Sequence, residues 1–264
     1  MSTYTSQVQI LHFSDLHFGD HHICNPAPSA AKAGIPTLGE LISKDLQLNF
    51  GATVTDETDY SHQKESPLII AVSGDFTQKA AHQEFQEASD FLNQLLSKKL
   101  LNRTVKKDSV FIIPGNHDVQ FAQASQDERF QPYCSFYNKF YQGVRSPQLA
   151  HEPMGLTQIH VKNEDGNKFI IAEINCCIYV EKDTVDSSRG QVDFDSIRKL
   201  REELEKLKVE QPDFDDYIKI AIIHHHVVLL PSFIEAGRGV DSIMNSGYLL
   251  ELLSEYGFHL ILHG

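Results

Sequence analysis

The stretch Val110–Asp118 has the sequence VFIIPGNHD, and it carries the strongest structural information in the chain. Its first four residues are apolar and predict a short buried strand, and the Pro-Gly pair that follows predicts the turn that ends it. Asn116, His117 and Asp118 come directly after this turn. Side chains that can bind metal ions or transfer protons are therefore expected at the carboxyl end of a buried strand.

Similar apolar runs recur along the chain, and each ends in a polar cluster, which predicts a set of buried strands. These runs are Val8–Phe13, Leu68–Val72, Val110–Ile113, Lys168–Ile174, Ile218–Ile223 and Phe258–Leu262. Helical patterns of apolar residues lie between several of them, at Ala81–Leu96, Ile197–Leu207 and Tyr248–Glu255. Strands that alternate with helices indicate an α/β fold with largely parallel neighbouring strands.

Two long segments interrupt this alternation. Gly19–Ser66 contains one predicted helix, at Leu38–Phe50, and Val119–Ala150 is rich in Phe and Tyr. We interpret the aromatic residues of the second segment as a small satellite core beneath a loop. Long insertions in compact domains often carry function, so both segments are candidates for substrate selection. The chain has no internal repeat or low-complexity linker, which favours a single domain.

The composition excludes several classes of protein. The chain has 264 residues, of which 41% are apolar, and a formal net charge of −13. This apolar content excludes a disordered chain, and no run reaches the ~18 apolar residues of a membrane span. The acidic balance argues against a protein that wraps nucleic acid, but it permits a phosphate substrate if metal ions supply positive charge. Four cysteines are too few for a disulfide scaffold, and the polar N-terminus lacks a signal segment, so we expect a cytoplasmic location.

Metal-binding residue types follow four of the predicted strands. They are Asp15 and His17, then Asp75, then Asn116, His117 and Asp118, and finally His224, His225 and His226. Positions i and i+2 of a strand or a tight turn point the same way, so Asp15 and His17 can bind one ion together. Open α/β sheets bind ligands outside the carboxyl ends of their strands, so we expect all four groups at one edge. Each group alone is common in turns, and the interpretation depends on their joint occurrence.

The ligand types predict a reaction class. Carboxylate, imidazole and amide donors suit Mn, Fe, Zn or Co better than Ca. There are more donors than one ion needs, which favours two divalent metal ions about 3.5–4 Å apart with a bridging carboxylate. Such a pair neutralises a phosphate and lowers the pKa of a bridging water toward ~7, which provides hydroxide at neutral pH. A histidine beside the ions can protonate the leaving alkoxide, so we expect hydrolysis of a phosphoester.

These motifs, in this order, resemble the calcineurin-like metallophosphoesterases over nearly the whole chain. The stretches Val72–Gln78 and Val110–Asp118 are similar to those of the bacterial class III cyclic-nucleotide phosphodiesterases, as is Arg189-Gly190-Gln191 before an amphipathic helix. The resemblance implies a four-layer αββα sandwich of two mixed sheets, the metallo-dependent phosphatase fold, as one domain over residues 1–264. It also implies hydrolysis of a small phosphodiester by metal-bound hydroxide, with a cyclic nucleotide among the candidate substrates.

The resemblance also assigns roles by position. The implied metal ligands are Asp15 and His17 for the first ion, Asp75 as the bridge, and Asn116 and His224 for the second ion. His117 would contact the phosphate or protonate the leaving group. Asp118 would orient His117 through a hydrogen bond, as carboxylates often do for histidines at metal centres.

The end of the sequence departs from the family pattern. The family closes its site with a Gly-His-x-His turn after a further strand, which corresponds here to Phe258–Leu262. His263 and Gly264 follow that strand, and the comparison makes Gly264 the first residue of the turn. We therefore expect His263 not to be a ligand, two further histidine ligands to follow Gly264, and a further C-terminal region beyond them. Without those ligands the metal centre should be weaker.

Two other functions stay open at this point. One is a metal-dependent nuclease, since a related branch of the superfamily cuts DNA, although the net charge of −13 argues against it. The other is a non-catalytic scaffold with the same fold inside a larger protein, although every ligand position up to Gly264 is filled. We expect His225 and His226 to pack behind the site, and His21 and His22 to form a solvated surface pair.

Overall fold

The computed structural model describes residues 8–20, 22, 36–50, 66–121, 125–164, 166–180, 189–228 and 242–264. The strands in these ranges are β1 (Gln9–Phe13), β2 (Leu68–Val72), β3 (Val110–Ile112), β4 (Gln158–Glu164), β5 (Asn167–Ile174), β6 (Ile218–Ile223) and β7 (Leu260–Leu262). The helices are α1 (Leu38–Phe50), α2 (His82–Leu96), α3 (Gln126–Arg129), α4 (Gln131–Phe140), α5 (Phe194–Glu210) and α6 (Ser246–Glu255). No helix in these ranges combines the length and the apolar composition needed to cross a membrane.

The strands form two sheets. The first has the order β1-β2-β3 and is parallel throughout its described part, and the second has the order β4-β5-β6-β7 and is mixed, because β4 runs antiparallel to β5. In the first sheet, Phe13 pairs with Val72 and Val72 pairs with Ile112. In the second sheet, Ile174 pairs with Ile223. This register aligns the carboxyl ends of neighbouring parallel strands, so the residues that follow them meet at one edge.

The two sheets enclose an inner apolar core, because successive side chains of a strand point to opposite faces. The inner core consists of Ile69, Ala71, Phe111, Ile113, Phe169, Ile171, Ile220 and Ile222. The outward-facing residues of the same strands, such as Ile70 and Ile170, join a larger cluster with the apolar sides of the helices. Phe91 of α2 packs against Phe13 of β1, Tyr133 of α4 is bonded to Ile112 of β3, and α5 contacts β4, so helices lie on both sheets. The predicted four-layer αββα sandwich is confirmed; its second sheet is mixed, and its first sheet is parallel over the described strands.

The predicted elements agree closely with the observed ones where the sequence pattern is strong. β2, β6 and α1 have the predicted bounds, and the other predicted strands and helices differ by a few residues at their ends. The sequence pattern missed β4, whose residues are mostly polar and only half buried. It also missed α4, and the interpretation of its aromatic residues as a satellite core was wrong. Tyr133, Phe136, Tyr137 and Phe140 are part of the large core cluster, because α4 packs directly against α2.

A buried polar network joins the two sheets at Glu173 of β5. Its carboxylate is fully buried and accepts hydrogen bonds from the backbone N–H of Ile112 in β3 (2.8 Å) and from Arg145 (3.1 and 3.2 Å). His160 of β4 lies 2.7 Å from the same carboxylate. A buried charge is tolerated only when it is paired and hydrogen-bonded, and here the partners come from both sheets.

The outer edge of β3 is held by side chains rather than by another described strand. The hydroxyl groups of Tyr141 and Tyr133 donate to the carbonyl oxygens of Val110 (2.7 Å) and Ile112 (3.1 Å). Arg145 also donates to the carbonyl of Val110 (2.7 Å). These bonds satisfy buried backbone acceptors that would otherwise destabilise the fold.

We predict that Arg145→Met destabilises the protein by about 3–5 kcal/mol, because it leaves the buried Glu173 carboxylate without its cation. The double variant Arg145→Met/Glu173→Gln should recover part of that loss. Denaturant unfolding measures both. Arg198→Ala is the control, since its ion pairs with Asp195 and Glu202 are exposed to solvent and should contribute little to stability. A loss for Arg145→Met as small as that of the control would contradict the prediction.

The same network predicts a pH dependence. Burial raises the pKa of Glu173, but the charges of Arg145 and His160 outweigh burial, and the net pKa lies below its usual 4.5. A lowered folded pKa stabilises the protein above the unfolded pKa, and this contribution is lost as the pH falls through the folded pKa. The difference in unfolding free energy between the wild type and Glu173→Gln should therefore be largest near neutral pH and shrink below pH 4.5. A difference that stays constant down to acidic pH would count against this.

Candidate metal centre

The loops after β1 and β2 remain paired beyond the ends of the strands. The backbone N–H of Asp15 donates to the carbonyl of Gly74 (3.2 Å), and the N–H of His17 donates to the carbonyl of Asp75 (2.9 Å). Asp15, His17 and Asp75 all have left-handed backbone conformations, with φ of 54°, 47° and 54°. Such conformations cost roughly 1–2 kcal/mol each for non-glycine residues, and they concentrate at functional sites. The hydrogen bonds between the two loops stabilise these strained backbone conformations.

Two glycines allow the loops after β2 and β3 to touch. A Cβ atom at Gly115 would lie 2.1 Å from Asp75 Oδ1, and a Cβ at Gly74 would lie 2.6 Å from the backbone nitrogen of Gly115. Gly74 also has a φ of 96°, which favours glycine. The backbone N–H of His117 donates to Asp75 Oδ1 (2.8 Å), so the close approach fixes the Asp75 carboxylate.

The Asp75 carboxylate lies between two imidazoles. Its Oδ2 atom is 3.6 Å from His17 Nε2 and 3.5 Å from His224 Nε2. His17 Nε2 is also 3.7 Å from Asp15 Oδ1. The donor atoms of Asp15, Asp75 and His224 all lie within 4.8 Å of one another. The convergence predicted from the sequence is therefore present, with Asp75 in the central position.

Asn116 completes this group on the side of His224. The Nδ1 atom of His224 faces the carbonyl of Ser73 (2.8 Å), an acceptor, so Nδ1 donates there and Nε2 is the nitrogen that faces the centre. That Nε2 lies 2.9 Å from Asn116 Oδ1. Lone pairs of an imidazole, an amide and a carboxylate thus point at one place. This donor set fits a cation, because acceptors alone do not stabilise one another.

The pKa values at the centre show that it stabilises positive charge. Asp15 and His17 lie close together, and this contact lowers the pKa of Asp15 to about 2, although burial opposes the shift. The same contact, together with the charge of Asp75, raises the pKa of His17 to about 9 against the effect of burial. The carboxylates of Asp15 and Asp75 are the groups that favour positive charge here.

His117 differs from the other histidines in its exposure and its partner. Its ring is exposed and packs edge-on against the His17 ring, with centroids 4.9 Å apart. Its Nδ1 lies 2.9 Å from the backbone carbonyl of Gln78, an acceptor, so Nδ1 carries a proton. Nε2 is then the nitrogen that can accept or deliver a proton toward a substrate.

The prediction that Asp118 orients the His117 ring by accepting its hydrogen bond was wrong. The Asp118 carboxylate is fully buried and instead accepts hydrogen bonds from the backbone N–H groups of Gly115 (2.9 Å), Phe76 (3.2 Å) and Thr77 (3.0 Å). Asp118 therefore holds the two loops together, and the orientation of His117 comes from the Gln78 carbonyl. The sequence could not reveal that partner, since a backbone carbonyl has no residue signature. Burial and the neighbouring Asp75 charge raise the pKa of Asp118, while its backbone donors oppose the rise.

The remaining histidines take supporting positions. His225 is buried behind the centre, with its ring 4.9 Å from that of His224. His226 is half buried, with its ring 4.4 Å from that of His263. His22 packs against the Phe18 ring rather than standing free on the surface, and His21 lies outside the described residues.

Gly264 lies against the same centre. Its backbone N–H donates to the carbonyl of His224 (2.7 Å), and a Cβ atom there would lie 3.0 Å from Asp15 Oδ2.

A four-layer αββα sandwich with Asp, His and Asn donors at one rim defines a metal-dependent phosphoesterase. The family model for the calcineurin-like phosphoesterases matches residues 8–264. The chain therefore belongs to the calcineurin-like phosphoesterase family. The family depends on metal ions to hydrolyse phosphoesters, which agrees with the donor set of this rim.

Among solved structures, the chain is similar to the crystal structure of phosphopantetheinyl hydrolase (PptH) from Mycobacterium tuberculosis. The sequence identity is 11%, the TM-score is 0.45, and the match covers 98% of this chain and 83% of that one. No curated protein matches the chain.

We predict that Gly115→Ala impairs metal binding. Gly115 has an ordinary φ of −99°, but an alanine Cβ there would lie 2.1 Å from Asp75 Oδ1 and 2.4 Å from the backbone nitrogen of Asp75, so the carboxylate and its loop would both be displaced. The affinity for Mn²⁺, measured by isothermal titration calorimetry, should fall by about 10-fold or more. Gly247→Ala is the matched control, because a Cβ there meets nothing within 4 Å. An unchanged affinity in Gly115→Ala would show that the contact does not position Asp75.

Proposed function

We propose that this protein hydrolyses a small phosphodiester at a centre of two divalent metal ions. One ion would be held by Asp15 and His17, the other by Asn116 and His224, with Asp75 between them. The observation that carries the proposal is the position of Asp75 Oδ2, 3.6 Å from one imidazole nitrogen and 3.5 Å from the other. A carboxylate so placed can serve both ions, which suits Mn, Fe, Zn or Co.

The ions would supply positive charge for the phosphate and lower the pKa of a bound water. The chain itself supplies the proton for the leaving group. His117 is exposed at the rim, its Nδ1 is held by the Gln78 carbonyl, and its Nε2 is available to the substrate. A general acid in such a position contributes typically 10²–10⁴-fold to the rate. Asp118 acts by positioning, since it holds the loops that carry Asp75 and His117.

Two observations support a diester rather than a monoester substrate. The motifs resemble those of cyclic-nucleotide phosphodiesterases, and a chain of net charge −13 repels a dianionic monoester more than a monoanionic diester. A cyclic nucleotide is one candidate. We further propose that the protein acts in the cytoplasm, because Cys134, Cys176 and Cys177 are free and buried, as in reduced proteins. Nucleic acid and membranes are not among the proposed partners.

The test compares the full-length protein, with Mn²⁺ added, on two substrates. These are the diester bis(p-nitrophenyl) phosphate and the monoester p-nitrophenyl phosphate. We expect Mn²⁺-dependent cleavage of the diester in preference to the monoester. Asp75→Ala should lose both metal and activity. His117→Ala should keep its metal content and lose about 10²–10⁴-fold in kcat.

His151→Ala is the control, since His151 is an exposed histidine paired only with the neighbouring Glu152. Its rate should equal that of the wild type. Absence of hydrolysis with every divalent ion would end the proposal, and faster cleavage of the monoester would overturn the substrate class. A panel of cyclic and linear nucleotides would then define the substrate.

A further inference from the structure

A second group of metal-binding side chains lies behind the centre described above. It consists of Cys176 and Cys177, which follow β5, and His225, which follows β6. The three donor atoms, two sulfurs and one imidazole nitrogen, all lie within 4.8 Å of one another. His225 Nδ1 is 3.2 Å from Cys176 Sγ and 4.0 Å from Cys177 Sγ. The proposed phosphodiesterase reaction uses none of these atoms.

All three side chains of this group are buried, unlike cysteines and histidines that lie near one another on a protein surface. Both cysteines are 0% exposed and His225 is 5% exposed. The ring of His225 is held closely, because a Cβ atom at Gly190 would lie 2.6 Å from its Nδ1. Cys177 Sγ lies 3.6 Å from the carbonyl of Pro114, in the loop that carries the first metal centre. The donors are therefore fixed in place by packing from three segments of the chain.

The spacing fits a thiolate-bound ion. Zn–S bonds of about 2.3 Å and Zn–N bonds of about 2.0–2.1 Å place sulfur and nitrogen ligands roughly 3.5 Å apart in a tetrahedral site. The observed separations of 3.2 and 4.0 Å bracket that value. Two sulfurs and one nitrogen select soft or borderline ions over the hard ions that oxygen donors prefer. We propose that Cys176, Cys177 and His225 form a distinct site for one thiophilic d¹⁰ cation, such as Zn²⁺ or Cu⁺.

Binding at this site has a defined proton balance and a structural consequence. The two thiols lose their protons to solvent and neutral His225 donates its lone pair; Zn²⁺ then replaces two protons with no change of net charge, whereas Cu⁺ leaves the site with one negative charge. The ion would join the end of β5 to the end of β6. Since His224 is bonded to His225 along the chain, the bound ion would also fix the backbone from which His224 reaches the first centre.

Cadmium is a suitable probe, because its thiolate complexes absorb in the ultraviolet and its oxygen and imidazole complexes do not. The reduced, metal-free protein is loaded with Mn²⁺ and titrated with Cd²⁺. We expect a charge-transfer absorption equal to that of two thiolates per chain, and its loss in Cys176→Ser/Cys177→Ser. Asp75→Asn should retain the absorption, because that residue belongs to the first centre.

Two further variants separate this pair from the other cysteines. Cys134 is also buried, burial raises its pKa to about 12, and it does not join the described cluster of Cys176, Cys177 and His225, so Cys134→Ser should retain the full absorption. His225→Gln keeps both thiols and should weaken Cd²⁺ binding at least 10-fold, which tests the site even where the double serine variant does not fold. Absence of the absorption in the wild type, its persistence in the double serine variant, or unchanged affinity in His225→Gln would overturn the proposal. These experiments measure Cd²⁺ binding and not hydrolysis, so their failure would leave the proposed function unaffected.

Discussion

The candidate metal centre depends on the hydrogen bonds made by one buried group, the carboxylate of Asp118. It accepts hydrogen bonds from the backbone of its own loop, at Gly115, and from the loop after β2, at Phe76 and Thr77. No solvent reaches this carboxylate, so its loss would leave several buried donors without a partner, at about 1–3 kcal/mol each. The distance between Asp75 and Asn116, and hence the spacing of the proposed ions, follows from this bridge.

The sequence predicted the strands and the gathering of candidate ligand residues at one rim, because both leave local patterns. β2 and β6 are continuous apolar runs, and Asp15, Asp75 and His224 stand directly after strands, where parallel register brings them together. Of the two geometries considered for the pairing of Asp15 with His17, a strand or a tight turn, the structure has the turn. Both residues have positive φ, so their side chains converge through a left-handed turn rather than through the pleat of a strand.

What the sequence could not predict are contacts between distant residues and contacts to backbone atoms. The Gln78 carbonyl that orients the His117 ring has no residue signature. Arg145 and Glu173 are 28 residues apart, and nothing local indicates that they meet between two sheets. β4 was missed because its polar side chains resemble those of a loop, and its place in the sheet comes from seven residue pairs with β5.

The bonds along the outer edge of β3 have a consequence for the behaviour of the protein at high concentration. An open strand edge offers unpaired carbonyl groups to which a second chain can add, and natural proteins cover such edges. Here Tyr133, Tyr141 and Arg145 occupy the carbonyls of Val110 and Ile112. Among the described strands, β3 ends the first sheet, and its outward carbonyls at Val110 and Ile112 are already bonded, which disfavours intermolecular β-pairing along that edge. Tyr133 of α4 and Tyr141, which directly follows that helix, thereby disfavour self-association as well as filling the core.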